Sequence, residues 1–442
     1  MRNLFTFIIA LFSITAMYAQ FTLNGEIRPR TEFLHGYKAP TIQNTTATIL
    51  TSQRTRLGFG YVADKFDVGI QIQDVRAWGS ERQLVVNDGY HTTIHQAWAK
   101  IKFNSVLALK VGRQELVYDD SRILGNVGWA QQARSHDLAL LTYEKKDVFK
   151  LHFGFALNTM QPHNYAVANN YKSMHYLWFN KNFGDHYKLS ILMLNNGVQD
   201  TIISGSDVGK DATTFSQIIG QHSVISIDKF IIGLNTYYQG GYDKGVYQND
   251  AGDTLQRKIS GYDIGIDIKY KINDNFNVGG GFEMLSGHSE TNKTKSYAEK
   301  NHAFTPLYGT NHKFNGWMDY FYVGNHINTV GLNDFYININ YKKNKIFTGA
   351  AFHYFMANAP VYDAVASAKS GNTEAMSSGL GMELDTYFGY KLSKDVLFKF
   401  GISGMFDTET MRVIKGGDYG ASNYWGWAMI VVKPTFFKSD KK

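Results

Sequence analysis

Arginine is the residue whose type and spacing suggest chemistry in this chain. Between residues 20 and 135 stand nine of them: Arg28, Arg30, Arg54, Arg56, Arg76, Arg82, Arg113, Arg122 and Arg134. Only Arg257 and Arg412 follow, while just five of the 33 lysines precede residue 135. Arg28 and Arg30 are two apart, as are Arg54 and Arg56. On a strand that spacing puts each pair on one face. A guanidinium grips a carboxylate through two parallel N–H···O bonds, which an ammonium cannot do. The chemistry implied is the holding and guiding of anions. A second constellation lies in the connection 118–135. It carries Asp119, Asp120, Arg122, Trp129 and Arg134, and Asp137 follows it. Folded inward, such a segment would constrict a pore, and Trp129 would then serve as a sugar-stacking surface or as an anchor for the loop.

Bond-making chemistry lacks its parts. There is no Cys, which removes thiolate metal sites, disulfides and a cysteine nucleophile together. His91 and His95 are four apart but sit in a strand-like pattern without the glutamate of a zinc protease. Gly279-Gly-Gly281 has no phosphate-loop Lys-Ser/Thr, and no Gly-x-Ser-x-Gly elbow occurs. Asn249-Asp-Ala-Gly-Asp253 lacks a full calcium ligand set. No catalytic residue, metal or cofactor is expected. The basic balance, with sequence pI near 9.0, accompanies aromatics sorted to one face of the strands, which does not suit nucleic-acid binding.

The elements that would position these side chains have period two. In Phe21–Phe33 the odd positions are Phe, Leu, Gly, Ile, Pro, Thr and Phe, and the even ones are polar or charged. Ser52, Arg54, Arg56, Gly58 and Gly60 share one face of the next segment, opposite Thr55, Leu57, Phe59 and Tyr61. The third segment breaks the pattern: Asp74 and Arg76 fall in line with Phe66, Val68, Ile70 and Ile72. Either a bulge near Gln73-Asp74 or emergence above a membrane would account for it. Tiny polar turns fall at Asp64, Asn104-Ser105, Lys145-Lys146, Gly184-Asp185, Asp228-Lys229, Asn273-Asp274, Lys343-Asn344 and Ser393-Lys394. Long connections, the longest at 291–326, alternate with them. Eight short and nine long connections make 18 strands, an even number, with both chain ends on the short-turn side.

That is the layout of an all-β transmembrane barrel. The 15% aromatic content then has a cause in girdles at both interfaces. Residues 1–19 read as a secretory signal: Arg2, an apolar run Leu4–Ala16, and Ala19 before Gln20. Residues 20–442 would form one barrel with periplasmic termini, no plug domain, and an aqueous lumen. Charge is costly on a lipid face, so the arginines are expected inside.

The residues also carry a resemblance. Ile72-Gln-Asp-Val-Arg-Ala-Trp-Gly79, Val111-Gly-Arg-Gln-Glu-Leu116, Tyr118-Asp-Asp-Ser-Arg122, Gly125, Trp129, Gln131 and Arg134-Ser-His-Asp137 resemble the alginate-export family of outer-membrane barrels. Glu26-Ile-Arg-Pro-Arg30, Gln53-Arg-Thr-Arg56 and the closing Val432-Lys-Pro-Thr-Phe436 are similar too. The resemblance implies an 18-stranded monomeric pore with a basic, loop-constricted lumen passing an anionic uronate polymer. It also implies lumen cations at Arg28, Arg54 or Arg56, Arg76, Arg113, Arg122 and Arg134, and constriction acids at Asp119, Asp120 and Asp137. The chain departs from the alginate pore in having no extended periplasmic turn to act as a gate. The resulting expectation is a passive channel for anionic oligo- or polysaccharides or other small acids, embedded in outer-membrane lipid. A general porin taking up small acids or oligosaccharides is the alternative, with an outer-membrane enzyme or surface adhesin as one of another class.

Overall fold

The computed structural model describes residues 19–81, 83, 92–158, 171–201, 203, 208–322, 325, 326 and 328–440. Residues 1–18, nearly all of the expected signal, and also Arg82 and His91, lie outside that range. The first strands are β1 (Gln20–His35), β2 (Thr48–Val62), β3 (Phe66–Ala77), β4 (Thr92–Lys102), β5 (Leu107–Gln114), β6 (His136–Lys145) and β7 (Phe149–Leu157). Then follow β8 (Ser173–Phe183), β9 (Tyr187–Thr201), β10 (Asp211–Ile227), β11 (Phe230–Gln248), β12 (Thr254–Ile259), β13 (Gly261–Lys271) and β14 (Phe276–Leu285). The last are β15 (Lys300–Asn301), β16 (Leu332–Lys343), β17 (Ile346–Met356), β18 (Gly379–Lys391), β19 (Val396–Asp407), β20 (Asn423–Val432) and β21 (Thr435–Lys438).

Neighbours along the chain pair antiparallel. β12 folds back on the far end of β11 and takes β15 beside it, so that along the wall β11 pairs β13 and β14 pairs β16. The last strand, β20 continued by β21, pairs back onto β1 through Leu34↔Trp425 and Leu23↔Phe437. The wall is therefore a closed barrel of eighteen strands. Closure is irregular in two places: a register shift falls between Leu23↔Phe437 and Asn24↔Thr435, and between Ile27↔Val432 and Arg30↔Met429 no pairing is made, where Pro29 has no N–H to give.

The short turns form because their residues supply the needed backbone locally. Asp147, Asp228 and Asn344 take positive φ of 59°, 50° and 52°, which Asp and Asn tolerate. Asn104 Oδ1 accepts from the amides of Val106 and Leu107, both at 2.9 Å, and Asn273 repeats the device on Asn275 and Phe276. Aromatic pairs flank this rim: Tyr61–Phe66, Tyr143–Phe149, Phe183–Tyr187 and Phe276–Tyr341, with ring centroids 4.6–5.7 Å apart. Above them the outer face is apolar and bare, with Ile337 65% and Ile402 64% exposed. A belt of that kind needs hydrocarbon rather than water around it.

The inner face follows from the register. Arg28 lies opposite Arg54, and Glu26 opposite Arg56, so all four share the lumen side. Arg54 and Arg56 oppose Val75 and Gln73 without any slip, so Asp74 and Arg76 face outward. The bulge sits on β4 instead, where Gln71↔Gln96 is followed by Ile72↔Ile94 and His95 is left over.

Candidate functional site

The lumen is crossed by a bar made of two long connections. The first, 115–135, leaves β5 and reaches both walls. On the β1–β2 wall its carbonyls are gripped by arginine. Arg28 donates to Gln131 Oε1 (2.9 Å) and to the carbonyls of Gly128 (2.8 Å), Trp129 (3.1 Å) and Ala130 (3.1 Å). Arg30 donates to Trp129 O at 2.7 Å and to Glu32 at 2.9 Å. Arg54 pairs with Glu26 and reaches Gln131 O at 3.4 Å. Gln131 returns a bond to Ser52 Oγ at 3.0 Å.

On the other wall the same loop is tied by its acids and by Arg122. Asp119 accepts from Ser190 Oγ (2.5 Å) on β9 and Trp178 Nε1 (2.9 Å) on β8. Its burial raises the carboxyl above the ordinary Asp range, against those two bonds. Asp120 accepts from Asn235 Nδ2 on β11 at 2.6 Å. Arg122 is fully buried between Asp263 (3.3 Å) on β13 and Glu283 (2.8 Å) on β14. Desolvation works against its charge, but the two carboxylates outweigh it and hold the guanidinium above its usual value. The path between walls is tight, and Asp119, Ser121, Val127 and Ala133 all take positive φ. For β-branched Val127, at φ 50°, that conformation is strained and persists because both flanks are fixed.

The second connection, 286–331, folds down against the first. Leu124 and Tyr308 make a parallel bridge, Thr310 N donates to Ser121 O at 2.9 Å, and Arg134 donates to Gly309 O at 3.1 Å. Burial lowers the Arg134 guanidinium from its usual value. Further along, Met318 N donates to Glu383 Oε1 (2.7 Å) and Trp317 N to Asp385 Oδ2 (3.2 Å), both on β18. Trp129 sits where the two loops meet β1. Arg30 lies 4.3 Å above its ring, His312 stacks on it at 4.7 Å, and Trp427 meets it edge-on at 4.9 Å. Trp129 is thus an anchor within the crossbar.

The structure brings together Arg28, Arg30, Arg54, Arg56, Arg122, Arg134, Asp119, Asp120 and Trp129. It does not bring in three residues expected there. Arg76 faces outward and pairs with Asp74 at 2.6 Å. Arg113 lies opposite Ala97 and Asp137, on the outer face of Ile70, and its guanidinium meets Asp137 at 2.7 Å. The reason is parity: each is one residue away from the lumen row of its strand. Near the long-loop rim the outer face turns polar, so charge no longer marks the inside.

Other residues belong to the site without having been expected there. His95, left over by the bulge on β4, turns inward and bonds Glu115 at 2.7 Å, holding the base of the crossbar. Acids on β13–β18 form a second wall: Asp263, Glu283, Asp334, Glu383 and Asp385 are all buried. His353 bonds Asp334 at 2.9 Å, and Asn315 bonds Glu283 at 2.6 Å. A cavity of about 460 Å³ lies on this side, lined in part by Asn235, Asp267, Lys313, Tyr336, Asn338 and Asn340. Strand parity was the available signal for the acids. For the second loop it was the unusual run of Met318, Tyr320 and Phe321 in a connection.

Comparison with known proteins agrees with this architecture. The family model described as "Alginate export" matches residues 19–418. No curated protein matches the chain. Among solved structures, Acinetobacter baumannii OccAB1 is similar at TM-score 0.59 and 13% identity, covering 94% of this chain and 97% of that one. Pseudomonas aeruginosa OccK2 (OpdF), in complex with glucuronate, is similar at TM-score 0.56 and 10% identity, with 94% and 98% covered. Pseudomonas aeruginosa OpdK with vanillate gives TM-score 0.56 at 11% identity, with 95% and 99% covered. A match over nearly the whole barrel, on a closed wall with an inward crossbar, places this chain in the alginate export family of outer-membrane channels.

Proposed function

We propose that this channel passes carboxylate-bearing solutes of monosaccharide to oligosaccharide size down their gradient, as a monomer, after residues 1–19 have directed its export. The single observation that carries the reading is the basic inner face of β1, β2, β4 and β5 beside the crossbar. A basic strip on one wall of a water-filled, low-dielectric tunnel raises the local concentration of anions along that wall. The match to the alginate export family supports an acidic sugar as cargo. The glucuronate and vanillate bound to two similar channels support small acids more broadly. The crossbar favours short solutes, because it is tied at both walls and not by one end. The proposed periplasmic face is the short-turn rim, where both described chain ends lie.

The test is reconstitution in planar bilayers under a salt gradient. The expected reversal potential is that of an anion-selective pore, drifting toward neutrality above about 0.1 M salt, where the Debye length falls to about 10 Å. A cation-selective pore would refute the reading.

A further inference from the structure

We propose that Lys100 and Lys110 form an anion-binding step on the lumen wall, between the crossbar and the short-turn rim, that takes the carboxylate of a uronate-sized solute. The inference rests on the anionic reading above and gives it a place.

Lys100 and Lys110 are directly opposite one another across β4 and β5. Both face the lumen: Lys100 opposes Asp67, on the row of Gln71 and Gln73 that also opposes Arg56. Like charges at directly opposed positions destabilise a strand pair. The neighbouring position shows the ordinary solution, since Lys102 is paired with Asp67 at 2.6 Å. Among the described residues no carboxylate lies within ion-pair distance of Lys100 or Lys110. Lys110 instead rests over the Trp98 ring, 4.0 Å from its centroid. An aromatic face holds an ammonium in position without cancelling its charge.

Most cations above this pair are committed, although Arg56, bonded to Gln73 at 3.0 Å, keeps one buried N–H without a partner. Arg28 and Arg30 serve the carbonyls of the crossbar, and Arg54 serves Glu26. Below them, Lys100, but not Lys110, lines a cavity of about 440 Å³ with Lys65, Lys102, Asn104 and Thr142. Two acids, Asp64 and Glu144, also line it, and Glu144 is engaged by His152 at 2.9 Å. That volume is in the range of small-ligand pockets. A carboxylate placed between the two ammoniums turns their repulsion into two charge-assisted hydrogen bonds.

The experiment measures block of wild-type current by digalacturonate in a planar bilayer. Lys100→Gln with Lys110→Gln is compared with Lys269→Gln and Lys271→Gln, which removes the same charge from β13 across the lumen. Folding of each is checked by the heat-dependent shift of the barrel on a denaturing gel. The first pair is expected to raise the half-blocking concentration by about ten-fold or more, since a charged hydrogen bond carries at least that factor. The β13 pair is expected to change it by less than about three-fold at 0.1 M salt. Lys100→Arg with Lys110→Arg should keep the block. Equal effects from both glutamine pairs, or none from the first, overturn the binding step and leave the anionic channel standing. A wild-type pore that is cation-selective overturns the channel reading and the step with it.

Discussion

Arg28 is predicted to hold the crossbar in place, and Arg28→Ala is the substitution that isolates this role. The guanidinium makes four bonds to residues 128–131, at 2.8–3.1 Å, and the residue is only 6% exposed. A hydrogen bond to a charged group is worth about 1.5–3 kcal/mol net. The four are not additive, because lumen water can reach some of the freed carbonyls. The remaining ties from Arg30, Arg54 and Gln131 also stay. A loosening of about 2–4 kcal/mol is the reasonable total, which multiplies the undocked population of the loop by roughly 30 to 1,000. In single-channel recordings this should appear as brief steps to higher conductance that the wild type lacks. Arg76→Ala and Arg113→Ala are the controls. Both remove one arginine from the same part of the sequence, but from the outer face, and both should leave the open-channel current unchanged. The reasoning fails if folded Arg28→Ala channels are as quiet as wild type, or if Arg76→Ala produces the same steps.

Two other perturbations probe the crossbar. Deleting Asp120–Gly128 should raise the mean conductance, because the segment spans from the β11 side to the arginines of β1; unchanged conductance in a folded deletion would mean the segment does not obstruct the current. Arg122→Leu leaves Asp263 and Glu283 buried without their cation. Breaking such a buried pair typically costs about 3–5 kcal/mol, so the urea midpoint of the folded band on a gel should fall clearly, and an unmoved midpoint would show that the two acids do not depend on Arg122.

The barrel was legible because its signals are local. Alternation of side chains, turn residues such as Asn104 and Asp228, and the short/long rhythm of connections each need only a few neighbouring residues. All eight short turns fall where the sequence puts them. Placement across the wall was harder. At Asp74 and Arg76 the sequence left a bulge on β3 and emergence above the membrane as alternatives. The pairing with β2 is unbroken, so the charges really do face outward, and the bulge belongs to β4 at His95. A bulge is a property of two strands, and one strand's sequence does not say which carries it. Arg113 and Asp137 fail for a related reason: near the long-loop rim both faces of the wall are polar, so a charge there does not report its side. The inward fold of 286–331 depends on contacts with β18 and with the first loop, more than 60 residues away in sequence. No local pattern encodes such a partner.

The distribution of committed and uncommitted charge says how the two walls divide the work. Near the crossbar, Arg28, Arg30, Arg54 and Arg56 stand against Glu26, Glu32 and Glu115, so four cations face three acids. Carbonyl acceptors occupy the arginine donors without neutralising them, so their field still reaches the lumen. Across the barrel, among the described residues, Asp263, Glu283, Asp334 and Asp385 make their ion pairs with Arg122 and His353, and Glu383 has none. The field therefore runs across the lumen and not only along it. A carboxylate is drawn to the β1–β5 side, where among the described residues Lys100 and Lys110 have no carboxylate within ion-pair distance. The opposite wall carries Asn338, Asn340 and Asp267, which suit hydroxyl groups as donors and acceptors. On this arrangement selectivity comes from orientation across the channel. The arginines fix the shape of the passage, and the lysines meet the solute.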